Sequence, residues 1–179
     1  MKNIFIGFIF ALLDFDLDIG RASIGLIPDF IGYILILNGF KEMSQHSSFF
    51  SMAIPRVQGM AVLSTVAYLI DLFGADLGII STLIGLAGTI LSIYIAYDTV
   101  KGIQDTERIY SINLNGQALR SAWNVWKVCT ILSYILLVTL LFAIFSPIAA
   151  FISFIASVCF LVALNKSRNL YYERFGFYI

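Results

Sequence analysis

Residues 129–164 read CTILSYILLVTLLFAIFSPIAAFISFIASVCFLVAL, thirty-six positions without a charged side chain. As one helix rising 1.5 Å per residue the segment would reach about 54 Å, too long for a single membrane crossing even with tilt. Ser146-Pro147 sits at its middle, and proline belongs in the first turn of a helix, with serine before it as a cap. The segment reads as a helical hairpin, one arm ending near Phe145 and the next starting at Pro147. The first arm reaches spanning length by borrowing Trp123 to Lys127, with Lys127 extending its ammonium toward the headgroups.

Composition agrees. Of 179 residues, 60% are apolar and 12% charged, 11 basic and 11 acidic, where a soluble domain has about 25% charge. The mean hydropathy is +0.92. A soluble fold this small needs more polar surface than that, and a disordered chain would be poorer in apolar residues. Both classes are excluded, leaving an integral membrane protein.

Working outward, apolar stretches of about spanning length run over residues 3–19, 22–40, 57–73, 77–97, 123–145 and 147–164. The expected fold is all-α, a single polytopic membrane domain of about six helices arranged as three hairpins. Outer turns are expected around Gly20, around Gly74–Ala75 and at Ser146-Pro147. Lys41 to Arg56 and Lys101 to Arg120 are expected to be inner connections, read either as ordinary loops or, through Ser47-Ser48-Phe49-Phe50 and Arg108-Ile109-Tyr110, as segments lying on the membrane surface. With the N-terminus inside, ten of the eleven basic residues fall on the cytoplasmic side, and Arg21 alone falls outside. That bias is what the positive-inside rule requires of a plasma-membrane protein with both termini cytoplasmic. Lys2 before an apolar run resembles a signal peptide, but Asp14, Asp16 and Asp18 stand where a cleavage site should be, so retention is expected. Tyr94, Tyr97, Trp123 and Trp126 fall at the expected inner boundary, and the aromatic tail from Tyr171 to Tyr178 reads as an interfacial anchor.

Two small-residue stripes stand out. Gly25, Gly32 and Gly39 recur every seven residues; Gly78, Thr82, Gly85, Thr89, Ser92 and Ala96 follow at spacings of four and three. Each stripe lets another backbone approach closely. The neighbour could belong to this chain, to a second copy or to a membrane partner.

Asp14, Asp16, Asp18, Arg21 and Asp29 form the outer polar cluster. If the second helix starts at Ala22, Asp29 lies about 10 Å along it, where a charge is costly. If it starts at Pro28, Asp29 is a first-turn acid stabilised by the helix dipole. The preceding residues are then non-helical backbone, admissible at depth only inside protein or beside water. The acids read either as water-facing caps or as a shallow cation site built from Asp14, Asp18 and Asp29, since carboxylates suit hard cations.

The element Leu26-Ile27-Pro28-Asp29-Phe30-Ile31-Gly32-Tyr33, with the acidic stretch before it, resembles one near the N-terminus of a group of uncharacterised multi-pass membrane proteins of Gram-positive bacteria. Here Ile27 replaces their leucine before the proline. The resemblance covers about forty residues, implies a bacterial plasma membrane and brings no activity with it.

Catalytic groups are scarce. The one histidine, His46, lies in a polar loop and reads as solvated; no His-based metal site or triad can be assembled. Cys129 and Cys159 read as apolar fillers of the last two spans. No phosphate-binding glycine loop or cofactor motif occurs, and basic residues spread along several loops argue against a nucleic-acid partner. The sequence points to a non-enzymatic membrane protein acting by assembly with itself or a partner in the lipid bilayer. A cation-linked transporter or channel subunit using the outer acids is the alternative.

Overall fold

The alternation of acid and apolar residue from Asp14 to Ile19 has a period of two, which is the period of a strand. The computed structural model, which describes residues 1–12, 16–19, 22–25, 28–73, 78–138 and 146–176, follows that period. Helix α1 (Lys2–Leu12) stops before the acids, and β1 (Asp16–Ile19) pairs antiparallel with β2 (Ala22–Gly25). Asp16 faces Gly25 and Ile19 faces Ala22 in the register. This corrects two of the expected spans. Residues 3–19 are a short helix followed by a strand, and 22–40 are a strand followed by a helix. Helix α2 (Asp29–Met43) starts behind Pro28, whose extended backbone (ψ 130°) precedes the first turn. Of the two possible starts, the chain takes the one that leaves Asp29 in the first turn of α2.

Four longer helices follow: α3 (Ser48–Leu72), α4 (Ile79–Tyr110), α5 (Gly116–Val138) and α6 (Ser146–Phe175). The expected inner loops are largely helical. Helix α3 begins well before residue 57 and carries Pro55 inside it, α4 runs on past residue 97, and α5 opens before residue 123. The physical reason is burial: Phe50 and Ala53 of α3, Val100 and Ile103 of α4 and Leu119 of α5 are all core residues, so these polar-looking segments have an inward apolar face. The expected turns at Gly20 and Gly74–Ala75, and Phe145, lie outside the described residues.

Each helix packs on the next in sequence, and α6 returns to α1, closing the six into a ring; β2 rests against α3. The core lies toward the end of the ring where Met1, the α2–α3 turn, the α4–α5 loop and the end of α6 meet. Phe8 of α1 meets Phe160 of α6 edge-on at 5.5 Å, Trp126 of α5 stacks on Phe160 at 5.6 Å, and Phe40 meets Phe50 at 5.2 Å. Toward the other end apolar side chains face outward, as far as 80% exposure at Phe73 and 81% at Ile79. Three helices, α3 over Ser48–Ile70, α4, and α6 from Pro147, are long and apolar enough to cross a membrane.

Helices α1 and α2 approach each other backbone to backbone. A Cβ added to Gly7 would lie 2.5 Å from the Gly32 carbonyl oxygen, and one at Gly32 would lie 2.7 Å from that of Gly7. A Cβ at Gly39 would strike Ile4. Gly32→Leu should therefore lower the unfolding temperature of detergent-solubilised protein, with a loss of about 3 kcal/mol or more, because backbone cannot yield as a side chain does. Gly59→Ala on α3, where an added Cβ meets nothing within 4 Å, should be neutral or slightly stabilising. Equal behaviour of the two variants would refute the close α1–α2 contact.

Candidate functional site

Spacings of four and three along α4 place Asp98, Gly102 and Asp105 on one inward face. Both acids are buried, at 5% and 8% exposure, so each needs a partner. Asp98 pairs with Arg56 of α3. Asp105 accepts from Ser47 Oγ at 2.7 Å and from Arg108 Nη2 at 2.6 Å, which ties the α2–α3 turn to α4. Between them Gly102 leaves room for the Phe50 ring, which a Cβ would meet at 2.5 Å. The buried hydroxyls of Thr99 and Thr106 donate to the carbonyls of Ile95 and Gly102 one turn back, at 2.9 and 2.8 Å. Glu107 accepts from the amides of Leu114, at 2.6 Å, and Gly116, at 2.9 Å, and so closes the turn into α5.

Beside this face, His46 joins segments far apart in sequence. Its Nδ1 lies 3.1 Å from the Tyr110 hydroxyl of α4, and its Nε2 lies 2.9 Å from the Tyr171 hydroxyl of α6. The rings of Tyr110, Tyr171 and Phe175 surround it at 5.0–5.6 Å. The chain start is gathered in as well: the Met1 ammonium lies 3.5 Å from Glu42, and the Lys2 amide donates to the Tyr172 hydroxyl at 3.0 Å. Burial holds the Met1 amine below its ordinary pKa. Burial also lowers the His46 pKa, assisted by the nearby chain-terminal ammonium and opposed by Glu42. A tyrosine hydroxyl either donates or accepts, so both His46 contacts survive a change of tautomer. Among the described residues the hydrogen-bond partners of His46 are Gln45, Tyr110 and Tyr171, with no serine, cysteine or carboxylate among them.

Sequence reasoning missed this cluster by reading His46 as a solvated loop residue. The available signal was the tail: Tyr171 and Phe175, four apart on a continuing helix, share a face, and that face closes on His46 instead of lying free as an anchor.

The expected site residues fall in several elements or outside the described residues. Asp14 lies outside the described residues, Asp18 is in β1 with a side chain outside them, and Asp29 is half-buried at the start of α2. Among the described residues no group of three metal-ligating side chains forms. Gly32 and Gly39 face α1, and Gly25 is in β2. Gly78, in the left-handed region at φ 55°, precedes α4, and Gly85 is exposed on it. Cys129 and Cys159 are free thiols, the first half-buried and the second exposed. No protein-family model, curated protein or solved structure matches the chain.

Two outcomes follow. Arg56→Ala strands the Asp98 carboxylate; because Arg56 is itself 43% exposed, the loss should be about 2 kcal/mol, below that of a fully buried pair. Arg56→Ala/Asp98→Ala should recover part of it, and a double variant as unstable as the sum of the singles would disprove the coupling. The lowered His46 pKa means that the unfolded chain binds the proton more readily. The His46 share of stability should be full above the ordinary histidine value of 6.5 and fall as pH drops through it, in addition to the decline that the lowered Met1 amine gives from its ordinary 8.0 downward. Thermal melts between about pH 7.5 and about pH 5.5 should show a steepening below the histidine value, and His46→Gln should remove that steepening while leaving the Met1 part. An unchanged slope in that variant would remove His46 as the source of the steepening.

Proposed function

We propose that the chain is a small multi-pass protein of the plasma membrane with both termini cytoplasmic, its four long helices α3 to α6 crossing and α1 and α2 entering as a pair, and that it acts by assembly with a second copy rather than by catalysis. The contrast between the two small-residue stripes carries the reading. On α2, Gly32 and Gly39 are covered by α1. On α4 the later stripe positions are also met within the chain, with Ala96 buried, Ser92 bonded to Tyr33 and Thr89 to Tyr134, whereas Thr82 and Gly85 nearer its start are exposed, and the nearest atom to a Cβ at Gly85 is the Tyr134 hydroxyl, at 3.8 Å. In lipid, helices associate through such small-residue faces because bulk apolarity gives them no reason to prefer each other over acyl chains.

The depth of the helices in the bilayer is supported by charge. Residues 79–97 of α4 and 147–165 of α6 carry none, and each stretch is about 28 Å long, close to the hydrocarbon thickness of about 30 Å. Arg56, Lys101, Lys127 and Lys166 follow at the termini-bearing edge of α3, α4, α5 and α6, the arrangement expected of a cytoplasmic boundary. Helices α1 and α2 are short of a full crossing, about 16 and 22 Å, and the β1–β2 ribbon continues them. Exposed strand edges are admissible there only against protein or water, and β2 lies on α3.

The test is stoichiometry. Fluorescently labelled chain reconstituted at low density in liposomes should photobleach in two steps. Gly85→Leu should shift the population to one step without changing the unfolding temperature, while Gly59→Leu leaves two. Single-step bleaching of the unmodified chain, or no effect of Gly85→Leu, overturns the assembly reading.

A further inference from the structure

The α4–α5 seam carries a cluster that the assembly reading does not use. Tyr97 of α4 and Trp123 of α5 lie ring to ring at 5.1 Å, and Trp123 Nε1 donates to the Ile93 carbonyl at 3.2 Å, fixing the indole in place. A lysine closes over each ring: Lys101 Nζ lies 5.6 Å from the Tyr97 centroid and Lys127 Nζ 4.2 Å from that of Trp123. We propose that Lys101 and Lys127, held on this aromatic pair, bind the phosphate of an anionic phospholipid. The inference rests on the membrane placement above, not on assembly.

Three observations carry it. First, the two ammoniums lie at matched depth. Lys101 is about 14 Å back along α4 from Tyr110, and Lys127 about 16 Å along α5 from Gly116, at the boundary where the uncharged stretch of α4 begins. Second, the positive charge is not neutralised by the protein. Asp98 is taken by Arg56, Asp105 by Ser47 and Arg108, and Glu107 by the amides of Leu114 and Gly116. Helix α5 contains no acidic residue, and Arg120 adds a third cation one turn before Trp123. Among the described residues neither lysine has a carboxylate within ion-pair distance, and Lys127 makes one hydrogen bond, to Asn124 Oδ1 at 3.3 Å. An ammonium has three donors, so both lysines keep N–H groups for phosphate oxygens. Third, the rings limit where the flexible lysine stems can go: a cation over an aromatic face is held by about 1 kcal/mol or less at an exposed site, enough to place it and too little to satisfy it. Basic groups between helices at the cytoplasmic boundary are the arrangement that recognises anionic headgroups.

The experiment uses the chain with Trp126→Phe, which keeps a ring on Phe160 and leaves Trp123 as the single tryptophan. The chain is reconstituted in phosphatidylcholine liposomes containing a minor fraction of brominated phosphatidylglycerol or, separately, of brominated phosphatidylcholine. Trp123 should be quenched preferentially by the anionic lipid. Replacing one lysine by glutamine should cut that preference about fivefold, Lys101→Gln/Lys127→Gln should abolish it, and arginine at both positions should retain it. Inorganic phosphate in the buffer should not displace the lipid. Equal quenching by both lipids, or a preference that survives the double glutamine variant, overturns the proposal. Displacement by phosphate reassigns the lysines to a soluble anion and also overturns it. Quenching by neither lipid removes the membrane placement itself, whatever the bleaching experiment gives.

Discussion

A carboxylate left at 5% exposure has to be met by a cation, and the pairing of Asp98 with Arg56 sets the height of α3 against α4. Two turns further along α4, Asp105 makes the same demand and is answered by the Ser47 hydroxyl at the start of α3 and by Arg108 on its own helix. Two pins about 10 Å apart leave the α3–α4 pair little freedom to slide. Because Arg56 is 43% exposed while its partner is not, the pair has a dry side and a wet side. It marks the level at which the bundle passes from an apolar surface to a polar one.

The two ends of the ring are built on different physics. At the pinned end the chain brings helices together by backbone approach and ring stacking, with Gly39 against Ile4 and Phe160 between Phe8 and Trp126. Toward the other end single hydroxyls link neighbours: Tyr33 to Ser92 at 2.5 Å, Thr89 to Tyr134 at 2.8 Å and Thr130 to Ser153 at 3.0 Å. Such contacts are worth little where water competes and somewhat more in lipid. A ring that is tightly packed only at one end would be poorly suited to water, since its apolar side chains at the other end face outward. In a bilayer those side chains are already in a matching solvent.

The long apolar helices were legible because length and hydropathy act locally: residues 147–164 could hardly be anything else. The first forty residues were misread because two periodicities overlap there. The apolar count from Asn3 to Phe40 favours helix, while the alternation of Asp14, Asp16 and Asp18 favours strand, and a strand pair needs far fewer residues to satisfy it. The inner loops were misread for a related reason. Residues 98–110 hold five charged side chains, which suggests a loop until the spacing of Asp98 and Asp105 is recognised as one helix face. His46 was out of reach of any local reading, since both of its hydroxyl partners, Tyr110 and Tyr171, come from other elements.

Helix α4 ties these features together because its sides carry different chemistry. The face toward α3 holds the aspartates, and the flank toward α5 holds Tyr97 and Lys101. The exposed stretch near its start holds Thr82 and Gly85. An aspartate and a lysine three residues apart on one helix would ordinarily pair with each other at little gain. Here Arg56 takes Asp98 from the α3 side, and so Lys101 is released toward α5. The buried pair that fixes the fold is therefore also what leaves a cation uncompensated at the seam, and the positive charge at this boundary is a consequence of how the core is satisfied.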